Sequence, residues 1–190
     1  MKVGMVCFSQ NGHTSVLAEA CCQEMRDLEV DTYSYRIKGE EIVQGRFTNK
    51  DVFANLANCD AIVFASPTYM GGVAAQFKAF VDATSDLWTR QEWAGKYAAG
   101  ITSGSSLNGD QSTTLLYLIT FANQHGMLWI GLDAAHGFKD HGINRLGCQL
   151  GVSAETANEG INEIDLESAR YLGSRIVRIL FQASQNRSNV

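Results

Sequence analysis

KVGMVCFSQNGHTSVLAEA, residues 2–20, passes from an apolar run through a polar, glycine-bearing turn into an amphipathic segment. KVGMVCF (2–8) is apolar on both faces, the pattern of a strand buried in a parallel sheet. TSVLAEACCQEMRDL (14–28) puts Val16, Leu17, Ala20, Cys21 and Met25 on or near one helical stripe. Between them, SQNGHT offers hydroxyls at Ser9 and Thr14, close backbone approach at Gly12, and the unpaired N–H groups of a helix start. A helix N-terminus with hydroxyls around it holds a phosphate without lysine or arginine. The same residues also make an ordinary capped turn. The spacing is neither GxGxxG nor GxxxxGK[ST], which argues against a dinucleotide pyrophosphate and against an NTPase.

The alternation continues along the chain. VDTYSYRI (30–37) reads as a second strand, and residues 38–59 as a loop with a short helix at DVFANLAN. DAIVFASP (60–67) reads as a third strand ended by Pro67, the only proline, and VAAQFKAFVDATSDLW (73–88) as one amphipathic helix. KYAAGITSG (96–104) is a fourth strand, QSTTLLYLITFANQHG (111–126) a helix closed by Gly126, and MLWIGL (127–132) a fifth strand. Residues 133–163 are glycine-rich with little periodicity, and ESARYLGSRIVRILFQA (167–183) is the last helix. This pattern predicts a single α/β domain over 1–183, with 184–190 a frayed tail. In such a fold, ligands bind at the carboxyl ends of the strands.

Composition narrows the class. The 190 residues carry a net charge of −5 with no basic cluster, which argues against nucleic acid or an anionic membrane as partner. No apolar stretch reaches spanning length, and the N-terminus reads as a strand, not a signal peptide. Five cysteines, an odd number with no CxxC pair at metal-like spacing, fit a reducing cytoplasm.

Two further loops follow strands at the expected binding edge. SPTYMGG (66–72) stiffens a strand exit with Pro67, offers Thr68, Tyr69 and Met70 to the edge, and turns at Gly71 and Gly72. An aromatic beside a thioether suits the face of a flat heterocycle, although a plain strand-to-helix loop reads the same way. TSGSSLNGDQ (102–111) offers hydroxyls and backbone N–H groups suited to a ring edge bearing carbonyls and nitrogens, or to a solvent loop. With SQNGHT they should project from one edge of a 2-1-3-4-5 sheet, which would be the phosphate, ring-face and ring-edge layout of an FMN site.

On SQNGHT, SPTYMGG, FVDATSDLW (80–88), TSGSSLNGDQSTT (102–114), QHGML (124–128) and ARYLGSRIV (169–177), the chain resembles the flavodoxin-like superfamily. It is most similar to WrbA-type NAD(P)H:quinone oxidoreductases and the NADPH-dependent FMN reductase family. The resemblance implies a three-layer fold with a five-stranded parallel sheet, helices on both faces, and FMN as cofactor. Ser9, Gln10, Asn11, Gly12, His13 and Thr14 would hold the phosphate. Pro67, Thr68, Tyr69, Met70 and Gly71 would meet the ribityl chain and ring, and Thr102, Ser103, Gly104, Ser105, Ser106 and Leu107 the polar ring edge. His125 would sit near the flavin as the catalytic side chain, and Trp88 would border the pocket where nicotinamide and quinone stack in turn. NADH or NADPH would supply electrons, a quinone-like acceptor would take them, and the chain would assemble as a homodimer or homotetramer. This chain departs from the family at Asn11, where an aromatic is usual, at Tyr69–Met70, where an Arg-Phe pair is usual, and at Ser106–Asn108, usually richer in glycine.

The rival reading is a flavodoxin that only carries electrons. Carriers are usually more strongly acidic, which favours the enzyme. His136 and His141 lack a completing ligand set and read as a polar loop.

Overall fold

The computed structural model describes residues 1–107, 109–137, 142–157 and 160–188. Strand β1 (Lys2–Cys7) leads into helix α1 (His13–Asp27), then β2 (Asp31–Arg36). A small hairpin of β3 (Ile42–Val43) and β4 (Arg46–Phe47) precedes α2 (Asp51–Ala57). Next come β5 (Ala61–Tyr69), β6 (Gly72–Val73), α3 (Ala75–Asp82), α4 (Ser85–Thr89) and β7 (Tyr97–Gly104). The chain closes with α5 (Gln111–Gln124), β8 (Leu128–Trp129), β9 (Val152–Ala157), β10 (Gly160–Ile161) and α6 (Glu163–Ser188).

The central sheet runs β2-β1-β5-β7-β9 with all four pairings parallel, so the expected 2-1-3-4-5 order holds. Apolar side chains on both faces of β1, β5 and β7 demand cover on both sides. On one face Val3, Met5 and Val63 pack with Leu17, Cys21 and Met25 of α1 and Leu172 and Ile176 of α6. On the other, Val6, Ile62 and Phe64 meet Phe77 and Phe80 of α3, Leu115, Leu118 and Phe121 of α5, and Trp93. The α1 stripe is rotated slightly from the expected one: Val16 is exposed, while Ala18 and Cys22 are buried.

The fifth strand differs from its expected place. Only Leu128 and Trp129 of MLWIGL pair, beside Tyr97 and Ala98 at the start of β7. The rest of that edge belongs to β9, whose Val152–Glu155 pair with Ile101–Gly104. The fifth position is thus shared by two segments, and residues 130–151 are an insertion between them. At the return point, a side chain on Gly151 would stand 2.5 Å from the carbonyl oxygen of Gly100, so only glycine lets the chain re-enter beside β7.

Three smaller differences follow from local chemistry. Pro67 does not end the third strand, which continues to Tyr69. It lies beyond Ala65, the last residue paired with β1, where the missing N–H breaks no ladder on that side. The helix expected over 73–88 is two helices, α3 and α4, separated at Ala83–Thr84, where the Thr84 hydroxyl bonds back to the Val81 carbonyl at 2.7 Å. The final helix starts at Glu163 and runs to Ser188, longer at both ends than the periodicity over 167–183. No helix among the described residues is long and apolar enough to cross a membrane.

Candidate functional site

The register brings the ends of β1, β5, β7 and β9 to one edge. Cys7 lies opposite Ala65, Pro67 opposite Ser103, and Gly104 opposite Glu155. Ser9, Asn11, His13, Pro67, Thr68, Tyr69, Ser103, Gly104 and Ser105 line one cavity of about 160 Å3 there. The three loops singled out in the sequence therefore converge. Thr156, carried by β9, completes the wall and escaped the sequence reading because its segment shows no apolar periodicity.

At the β1 end, Gly12 takes the left-handed conformation (φ 92°) and caps α1. The first intrahelical bond runs from the Val16 N–H to the Gly12 carbonyl at 3.0 Å. The N–H groups of His13, Thr14 and Ser15 precede it and have no intrahelical acceptor. Gln10 and Asn11 stand exposed in the turn before them.

The floor of the cleft is made of hydroxyls. The buried Thr14 Oγ1 lies 2.8 Å from Ser103 Oγ, linking the α1 turn to the β7 loop. Thr68 Oγ1 lies 2.8 Å from both Thr102 Oγ1 and Thr114 Oγ1. Two hydroxyls sharing one bond keep one hydrogen to donate elsewhere, and three sharing two bonds keep one as well.

Thr68–Tyr69 pair antiparallel with Gly72–Val73 across a two-residue turn. Met70 and Gly71 both have positive φ, 49° and 77°, the type I′ geometry of tight hairpins. Holding a methionine there costs about 1–2 kcal/mol and leaves its side chain fully exposed at the hairpin tip, not in the cavity wall. Tyr69 lines the cavity while remaining 43% exposed.

The β7 loop is braced by Gln111, a second residue the sequence reading passed over. Its side chain donates to the Ser106 carbonyl at 2.6 Å and accepts from the Gly109 N–H at 2.9 Å. Thr102 is buried beneath the loop, and Ser106 and Leu107 stand exposed on it. Asn108 lies outside the described residues.

Two expected residues are not brought to this cleft. His125 ends α5, and α5 runs from the cleft edge to the opposite edge of the sheet, about 20 Å away. There its Nε2 meets Thr84 Oγ1 at 2.9 Å, and its ring packs between Trp93 and Phe121 with centroids 4.6 and 5.1 Å away. Burial pushes its pKa down to about 4, so the ring is neutral at pH 7. Trp88 stands on α4, near the same far edge, and is 46% exposed. Among the described residues, no group of three or more His, Cys, Asp or Glu comes together to hold a metal; His136 is exposed, and His141 lies outside the described residues.

A doubly wound sheet with a phosphate-ready helix start and a hydroxyl-floored cleft defines a flavodoxin-like nucleotide-binding class. The model of the family described as NADPH-dependent FMN reductase matches residues 1–137. A protein named Flavodoxin FldP from Pseudomonas aeruginosa is 32% identical, with 94% of this chain and 96% of that one aligned. A NAD(P)H dehydrogenase (quinone) from Sinorhizobium fredii is 31% identical, with 94% and 96% aligned. The crystal structure of a WrbA-like flavodoxin from Agrobacterium tumefaciens superposes with a TM-score of 0.74 at 34% identity, covering 95% of this chain and 98% of that one. The chain belongs to the NADPH-dependent FMN reductase family, flavoenzyme oxidoreductases that work with FMN and NAD(P)H. The residues present fit FMN: three unpaired helix N–H groups suit its phosphate, and the spare hydroxyl hydrogens suit its ribityl and ring oxygens.

Proposed function

We propose that this protein moves two electrons from NAD(P)H to a quinone or quinone-like acceptor, with FMN seated in the three-loop cleft. The observation that carries the reading is the Thr14–Ser103 bond, which joins the helix start to the β7 loop across 89 residues and shapes one continuous site. FMN, when bound, supplies the hydride-accepting and hydride-donating chemistry. The chain supplies position. The N–H groups of His13, Thr14 and Ser15, with Ser9, Gln10 and Asn11 around them, hold the phosphate. Pro67, Thr68 and Tyr69, with the Met70–Gly71 hairpin, take the ribityl chain and a ring face. The loop from Thr102 to Leu107, held by Gln111, offers donors to the polar ring edge, where they would stabilise negative charge on the reduced ring.

The names of the quinone dehydrogenase relatives support the acceptor class. Five free thiols support a reducing compartment such as the cytoplasm. By the family resemblance, the chain assembles as a homodimer or homotetramer. Trp88 meets acceptor or nicotinamide only as a residue of another copy, because its own cleft lies at the other edge of the sheet.

An anaerobic titration of the FMN-loaded protein with NADH and then NADPH, followed at the flavin's visible band, tests the reading. Bleaching by a stoichiometric amount of donor, restored by adding a benzoquinone, is the expected result. Flavin that stays oxidised with both donors but is reduced by dithionite would overturn it. The chain would then be an electron carrier, the reading that the relative named flavodoxin favours.

A further inference from the structure

One cation reaches the phosphate turn from outside the three loops. Arg36 is the last residue of β2 and lies directly opposite Cys7, the last residue of β1. Its side chain curls over the sheet edge, and one terminal N–H donates to the Ser9 carbonyl at 2.6 Å. Among the described residues, no carboxylate forms an ion pair with it, a state it shares with Lys38, Arg46, Lys50 and Lys96. What sets Arg36 apart is that its free charge is bonded to the turn that opens the anion site, in a chain of net charge −5.

We infer that Arg36 is a positioning residue for the cofactor phosphate, acting through the Ser9 peptide and by its own charge. This rests on the FMN cleft described above. A trans peptide points its C=O and N–H in opposite directions. Fixing the Ser9 carbonyl toward Arg36 therefore fixes the Gln10 N–H away from it, in the turn whose Ser9 and Asn11 line the cavity. The guanidinium has five N–H donors, and one is spent on Ser9, so its charge remains available to an anion held at that turn. Because Arg36 stands on the exposed edge strand β2, its loss empties no core position.

The test uses the apoprotein and two flavins that differ only in the phosphate, FMN and riboflavin, with binding read by quenching of flavin fluorescence. For Arg36→Met we expect FMN to bind about 5–30-fold more weakly, riboflavin to change less than twofold, and the salt dependence of FMN binding to flatten. Arg36→Lys keeps the charge and recovers part of the loss. The melting temperature of each apoprotein is measured alongside. Equal weakening of both flavins would make Arg36 a loop scaffold, and no weakening of either would make it a bystander; both results overturn the inference. Wild-type protein that binds neither flavin would instead overturn the assignment of the cleft.

Discussion

His125 shows how a neutral ring is held in a core. The Thr84 hydroxyl donates to the Val81 carbonyl at 2.7 Å, so toward His125 it accepts, and the proton sits on Nε2. Nδ1 is buried and meets no partner among the described residues. Protonating it would place a charge among Trp93, Phe121 and apolar neighbours, which is why burial lowers the pKa to about 4. An unfolded chain titrates histidine near 6.5. Between those values the unfolded state holds more protons, so stability falls as pH drops from about 6.5 to 4, by about 3 kcal/mol in all. Urea midpoints at pH 7, 5.5 and 4.5 for wild type and His125→Leu check this, because carboxylate effects common to both cancel. The variant should lose that part of the slope; parallel curves would refute it. The sequence shows a histidine before a helix-ending glycine, and only the family resemblance implies a flavin contact for it. It does not show that α5 carries the ring away from the cleft edge, because a single helix motif contains no information about which end of the sheet it reaches.

At the scale of elements, the legible parts were those with strong apolar runs. β1, β5 and β7 are buried along most of their length, and because they pair in parallel their loops fall at one edge as expected. β9 was illegible because VSAETA is built from small and polar residues. It is held by specific bonds instead. Arg145, in the insertion, donates twice to Asp165 of α6, at 3.1 and 2.7 Å. Asp165 is buried and also accepts from the Glu155 N–H at 3.3 Å, on the strand that carries Thr156 into the cleft. Removing one partner of such a pair leaves a buried carboxylate unpaired. Arg145→Met should destabilise by about 3 kcal/mol and raise amide hydrogen exchange at β9 well before β1 or β5. Uniform exchange across the sheet would show that β9 does not depend on this link. The β3–β4 hairpin was hidden for a similar reason: Glu41 ties it down through Tyr35 at 2.5 Å and Asn49 at 2.8 Å, contacts that no periodicity announces.

For the whole molecule, the cleft and Trp88 stand at opposite edges of one sheet, so any pocket containing both is built from two copies of the chain. Trp88 is well placed to reach across: α4 is short, its aromatic side chain is half exposed, and the following turn is tied to the end of α5 through Gln91 and the Gln124 carbonyl. A rigidly mounted, exposed tryptophan is the kind of side chain that dominates interface energies, with losses of 2 kcal/mol or more on truncation. Light scattering at micromolar concentration should find wild-type protein as a dimer or tetramer. Trp88→Ala should shift that equilibrium toward smaller species by roughly 30-fold in dissociation constant. FMN affinity should stay unchanged, because the phosphate turn and hydroxyl floor lie within one chain. The KM for the quinone should rise. A wild-type monomer would remove Trp88 from the acceptor pocket altogether, leaving Tyr69 as the aromatic that lines the cleft.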